Sequence, residues 1–538
     1  MDGYDYIVVG GGSAGCVVAA RLAQDPGARV LLLEAGGAER TRATTVPSAW
    51  PENLGSAADW ANFTTPQAEA GALTYPRGRV LGGSGAINGM AHVRGHRGVY
   101  DDWAANGAKG WAFADLLPYF RRAECAAGRD PGLRGQDGPI RVAPVPEAKR
   151  HPVAAAFAAA LISSGCQATD DLSGPNQEGA CWVDLAIADG ERVSSAEGYV
   201  RPMLGSPNLV VQPDCLVTTL RVTHGRCTGV SYTRAGAPAG ARCSGEVVLC
   251  AGAIGSPQLL MLSGIGPADQ LRGLGIDPVA DLAGVGQNLH DHPIAMMSYA
   301  TEKALPVSQY NHGEMYAALR SGLGGTRPDL HLFPILFPLA PAGMQAPPTG
   351  YALVASVIAP ESRGSVQLAS ADPQASPLID PGLLRNGRDA DALAAGMAFI
   401  RQATSGRGFW GELAPERHRE VYPGPGARTD AGVRDFIRHT VGSYFHPVGT
   451  CRLGQDERAV VDAQLRVQGV DGLRVADASV MPAIPNAHPN ATVLAIAERA
   501  ADLITSLSGS GGYERARPPR PSTTAGSPAD SRTARTAG

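Results

Sequence analysis

The sequence predicts an α/β fold of the Rossmann-like, dinucleotide-binding kind, on three observations at its start. An apolar run at residues 6–9 reads as a buried strand and leads into Gly10, Gly12 and Gly15, spaced G-x-G-x-x-G. Ala14, Val18 and Leu22 then share one helical face, so a helix opens on the glycines. A second apolar run, 30–33, ends in Glu34, nineteen residues past Gly15. Strand, tight turn, helix, strand and acid in that order make a βαβ dinucleotide unit.

Each part has a physical task. Gly10 allows the tight turn, Gly12 lets backbone approach a pyrophosphate, and Gly15 lets helix and strand pack closely. Free N–H groups at the helix start, around Ser13 and Ala14, suit anionic phosphates. Glu34 can accept hydrogen bonds from a ribose diol, and its charge disfavours a 2′-phosphate, which argues against NADP. Both NAD and FAD satisfy this unit.

The 538 residues leave room for two or three domains. A net charge of −4 supplies no basic field for nucleic acid. Glycine is abundant, 68 residues, so many tight turns and close backbone approaches are expected. Nine scattered cysteines, an odd number without C-x-x-C, suggest reduced, buried thiols. With the first strand so near the start, no leader is expected, and no apolar run reaches about 18 residues. The expectation is a cytoplasmic protein without a membrane span.

Residues 77–90, with glycine at 78, 82, 83, 85 and 89, read as a loop whose N–H groups could wrap a ligand. Residues 99–125 and 151–165 read as helices, and 208–250 as short strands separated by turns. Ser256 suits an N-cap, with Pro257 at the first helical position. His290, Asp291 and His292 are too few for a metal site and are expected to be satisfied loop residues. Residues 353–358 and 364–368 read as strands, 390–402 and 431–439 as helices. Leu473 to Asp477 reads as a short strand, and Val493, Ile496, Ala500 and Ile504 recur at helical spacing after Pro489. Residues 509–538, poor in apolar side chains, read as a disordered tail.

Five segments, in this order, resemble the glucose–methanol–choline (GMC) oxidoreductase family. They are the opening βαβ unit, GRVLGGSGAINGMA at 78–91, GAIGSPQLLMLSGIG at 252–266, FHPVGTC at 445–451 and NAHPN at 486–490. The likeness covers nearly the whole chain to about residue 507. It implies FAD, a doubly wound FAD-binding domain assembled from 1–150, 190–293 and 455–508, and a substrate domain from 151–189 and 294–454 with an antiparallel sheet and covering helices. It implies oxidation of an alcohol (CH–OH) to an aldehyde or ketone, with oxygen or another electron acceptor as the second partner.

By the same resemblance, Asn88, Gly89, Met90 and Ala91 pass beside the flavin ring. Asp477 and Ala478 lie near its ribityl or pyrophosphate part, and Val217 meets the adenine. Ala35, Arg79, Gly82, Ser84, Ala251, Phe445, Asn490 and Ala491 join the cofactor contacts. Some members attach flavin through a histidine just before the matching asparagine; Ile87 stands there, so FAD should be non-covalent. His446 is the implied general base for the hydroxyl proton, with flavin N5 taking the hydride, and His488 holds the substrate oxygen; the two could exchange roles. Histidine suits a base near neutral pH. The final helix start, at Pro489 and Asn490, would favour negative charge on the flavin. The alternatives are a flavin-containing hydroxynitrile lyase-like enzyme and a non-catalytic flavoprotein. The sequence leaves the particular alcohol and the oligomeric state open.

Overall fold

A computed structural model describes residues 3–406, 409 and 417–508. The expected disordered tail, 509–538, lies outside the described residues.

The opening unit folds as its pattern predicts. The strand Gly3–Val9 pairs in parallel with Val30–Leu33, Tyr6 opposite Val30 and Val9 opposite Leu33. Leu209–Gln212 adds in parallel beyond Val30–Leu33, and Ala237–Leu249 on the other side of Gly3–Val9. Leu473–Val475 then pairs in parallel with the end of Ala237–Leu249, and the antiparallel strands Arg226–Arg234 and Cys215–Thr223 extend that side. The central strands have no polar alternation because both their faces are buried: Ile7, Val8, Val30 and Leu32 are fully enclosed.

Three helices stack beside this sheet: Ser13–Leu22, Phe113–Ala123 and the final helix Asn490–Ser508. Their clasp is Glu498, fully buried, whose carboxylate accepts from Arg21 Nε and Nη2 (2.8 and 2.7 Å) and from the Tyr199 hydroxyl (2.7 Å). A buried charge is tolerable only with such partners. The stretch 99–125 is two helices, Arg97–Ala105 and Phe113–Ala123, not one. Gly107 and Gly110 break it, with φ of +105° and +80° that a helix cannot hold.

A second sheet is antiparallel throughout, as the family likeness implied. Its order is His418–Tyr422, Pro293–Thr301, Gly350–Val357, Leu330–Ile335, Met315–Leu319 and Gly179–Trp182, with Gly442–Ser443 beside Pro293–Thr301. Side chains alternate between its faces. Leu330, Leu332 and Met315 join the core under Pro152–Ser163, Gly387–Thr404 and Asp430–Thr440. Phe333 and Tyr316 point the other way and pack with Ala91 and Ala487 from the first half of the fold. That inner face forms one wall of the site.

The helix after the first sheet starts earlier than predicted. It spans Gly252–Leu262, so Ser256 and Pro257 lie inside it rather than at its cap and first turn. Ser256 Oγ instead accepts from Ala251 N–H and donates to Asp477. Proline at 257 withholds the N–H that Ala253 O would receive, and Thr450 Oγ1 donates to that carbonyl at 2.6 Å. All nine cysteines are free. No helix among the described residues is long and apolar enough to cross a membrane.

Candidate active site

One long cavity runs from the ends of the first sheet to the inner face of the second. Its floor is built by glycines that admit no side chain. Gly10 turns at φ +98°, and a Cβ there would stand 2.6 Å from Cys250 O. A Cβ on Gly15 would stand 1.8 Å from Gly10 O. At Gly12 the nearest protein atom to such a Cβ is 3.8 Å away, so the room belongs to the cavity. The helix Ser13–Leu22 has no side-chain cap, which leaves its first N–H groups facing that room.

The second glycine-rich segment, which as a bare sequence reads only as a loop, is clamped onto the first. Gly82 N donates to Gly11 O (2.7 Å), and a Cβ on Gly83 would meet Gly12 Cα at 2.6 Å. A short helical turn, Ser84–Ile87, follows and ends at Asn88. Asn88 Oδ1 accepts from Met90 N–H (2.9 Å) and from Arg192 Nη1 (2.8 Å).

Of the residues expected at the cofactor, Gly10, Gly12, Ser13, Ala14, Glu34, Ala35, Ser84, Asn88, Gly89, Met90, Ala91, Val217, Ala251, Phe445, Asp477, Ala478 and Asn490 line this cavity. Gly15, Arg79, Gly82 and Ala491 do not. Gly15 and Gly82 sit behind the wall, where their missing side chains allow close packing. The Arg79 guanidinium lies 5.0 Å over the ring of Trp60, which itself lines the cavity, and Ala491 is buried in the final helix.

Glu34 is buried and accepts Gly11 N–H and Gly36 N–H, each at 2.8 Å; burial pushes its carboxyl up to about 7. Asp477 is equally committed. Its Oδ2 accepts from Gly252 N–H and Ser256 Oγ, its Oδ1 from Ser479 N–H and Oγ. These donor sets fit a bound dinucleotide: open backbone N–H groups for phosphates, an acid with spare lone pairs for a diol, and glycine where a side chain would fill the cradle.

At the other end His446 and His488 meet, 42 residues apart in sequence, with ring centroids 5.2 Å apart. Both line the cavity. His488 Nε2 pairs with the Tyr444 hydroxyl at 3.0 Å, and its Nδ1 is buried with no protein partner. His446 Nδ1 lies 2.9 Å from His292 Nδ1, so one of the two carries the shared proton. Burial, reinforced by the neighbouring imidazoles, holds His446 well below its usual range. Burial holds His292 and His488 down at about 3. The resting cluster is therefore neutral and rich in acceptors.

The H-D-H triplet at 290–292 is more than satisfied loop. Asp291 Oδ1 accepts His446 N–H and His292 N–H at 2.8 Å each, and its Oδ2 accepts the Tyr75 hydroxyl at 2.7 Å and the Ser443 hydroxyl. This carboxylate fixes the loop that presents His446, including Phe445 at φ +64°, a conformation costly for an aromatic residue. Arg77 donates to Phe445 O from the opposite side. The sequence reading takes Asp291 and His292 only as satisfied loop residues and gives no role to Tyr75, Arg77 or Arg192. The available signal was an acid between two histidines directly before Pro293 and the apolar run at 294–297.

Residues 4–294 and 360–497 match the two parts of the GMC oxidoreductase family. Human mitochondrial choline dehydrogenase is 38% identical over 94% of this chain and 90% of its own length. The oxygen-dependent choline dehydrogenase of Sinorhizobium medicae is 36% identical over 93% of this chain and 95% of its own. Among solved structures, pyridoxine 4-oxidase from Mesorbium loti superimposes with a TM-score of 0.88 at 33% identity, covering 93% of this chain and 98% of that one.

Proposed function

The chain belongs to the GMC oxidoreductase family, whose members bind FAD and act on CH–OH donors, and on that premise we propose that His446 is its catalytic base and His488 the holder of the substrate oxygen. The observation that carries the assignment is the meeting of these two neutral imidazoles at the end of a cavity whose other end is a dinucleotide cradle. FAD, when bound, supplies the hydride acceptor, and the polypeptide supplies everything that handles the proton.

His446 is presented by a loop that Asp291 and Arg77 hold from two sides. With its Nδ1 engaged to His292, its Nε2 is the nitrogen left for a hydroxyl hydrogen. His488, its Nε2 engaged to Tyr444, lines the same cavity and holds the substrate oxygen. The final helix begins at Asn490 on the cavity wall with no acid in its first turn, so its positive end favours negative charge there. The residue before Asn88 is Ile87, which lines the cavity and offers no nucleophile; FAD is held non-covalently. Residues 1–150, 190–293 and 455–508 make the cofactor half, and 151–189 with 294–454 the substrate half. Oxygen or another acceptor closes the cycle.

The depressed imidazoles set a pH test. A base works when unprotonated, and a histidine held below about 6.5 stays unprotonated down to that pH and beyond. The limiting rate of flavin reduction by a saturating alcohol is expected to be flat from about pH 8.5 to about 6.5 and to fall only at lower pH. A rate already halved above pH 7.5 would assign the proton to another group.

A further inference from the structure

The charge of the acceptable alcohol is written in the cavity wall. Among the described residues, the carboxylates that line it are Glu34 and Asp477. Glu34 belongs to the glycine cradle, and all the oxygens of Asp477 are taken by the turns at 252–256 and 479. Neither can pair a substrate cation at the histidine end. The charged side chains beside His446 are Asp291, which does not line the cavity and whose two oxygens are taken by Tyr75, Ser443 and two backbone N–H groups, and a cation, Arg77, whose field acts on that imidazole.

An aromatic cage could replace a carboxylate, because a ring face attracts an ammonium. Three of the rings in the wall are already engaged by neighbours. Tyr444 is stacked between His446 and Phe333, with centroids 4.3 and 4.8 Å away. Tyr316 is closed in by His488 at 4.9 Å and Phe333 at 5.0 Å. The Trp60 face is covered by Arg79. What remains is apolar surface, Phe445 and Trp50, whose Nε1–H donates to Asn311 O while Asn311 Nδ2 donates to Gly89 O at 2.6 Å. That ring is thereby fixed next to the loop carrying Met90, as a flat platform.

Resting on the alcohol-oxidising assignment above, we propose that this site takes uncharged alcohols with an apolar body and discriminates against quaternary ammonium alcohols, unlike the choline dehydrogenases it is similar to. A trimethylammonium group entering here would leave water with no free carboxylate to pair it and only the rings of Trp50 and Phe445 to meet, which return less than the lost hydration, a penalty a neutral body of the same shape escapes.

The test compares choline with 3,3-dimethylbutan-1-ol, its uncharged isostere, and with benzyl alcohol, by anaerobic stopped-flow reduction of the flavin in the full FAD-loaded chain. The second-order constant for reduction is expected to be at least about tenfold larger for a neutral alcohol than for choline. Choline reducing the flavin as fast as both neutral alcohols, or faster, overturns the inference and leaves the alcohol-oxidising assignment standing. No reduction by any of the three overturns both.

Discussion

Replacing His446 by alanine is expected to slow flavin reduction by a good alcohol about 10²–10⁴-fold, the usual weight of general base catalysis, equivalent to about 3–5 kcal/mol of barrier. The expectation rests on position. His446 lines the cavity, and one of its ring nitrogens is engaged by His292. The variant should still bind FAD, because the glycine turn, Glu34 and the start of the helix Ser13–Leu22 are built from other parts of the chain. It should also keep its fold, since the Asp291 contact is to the backbone N–H of residue 446, which alanine retains. Anaerobic stopped-flow absorbance measures the effect. A reduction rate within threefold of the parent enzyme would remove His446 from the role and leave His488 as the base.

The second large effect concerns the cradle. Gly15→Val is expected to leave the purified protein with less than about a tenth of the parent's flavin. A Cβ at this position would lie 1.8 Å from Gly10 O, and Cys250 Cβ stands 3.2 Å away on another side. The clash is with backbone, so helix and strand must separate, and the N–H groups at Ser13 and Ala14 leave the place where phosphates bind. Gly37→Ala is the matched control: no atom lies within 4 Å of a Cβ there, and full flavin content is expected. The ratio of flavin to protein absorbance after purification reads both. Full flavin content in Gly15→Val would mean that this turn does not hold the cofactor.

The parallel core was legible because its signals are local. Residues 6–15 and 30–34 lie within one unit, and their apolar runs and glycines are set by backbone geometry that any such unit shares. The two histidines were legible from the motif likeness and from their chemistry, although only the fold brings residues 446 and 488 together. Long-range satisfaction was not legible. Asp291 is buried because Tyr75, Ser443 and two backbone N–H groups converge on it from three parts of the chain. The misplaced helix start at Ser256 has the same origin: the local pattern Ser-Pro favours a cap, but Asp477, more than two hundred residues away, claims the hydroxyl. Arg79 and Ala491 carry motif positions yet do not line the cavity: the Arg79 guanidinium lies over Trp60, and Ala491 is buried in the final helix.

In the proposed reaction an alcohol gives its α-hydrogen to the bound flavin while His446 takes the hydroxyl proton. The most direct measurement is anaerobic bleaching of the purified flavoprotein by a neutral primary alcohol and by the same alcohol deuterated at the α-carbon. Complete bleaching by both is expected, slower by several-fold with the deuterated alcohol. Bleaching at equal rates, or a flavin that stays oxidised with every alcohol offered, would contradict it.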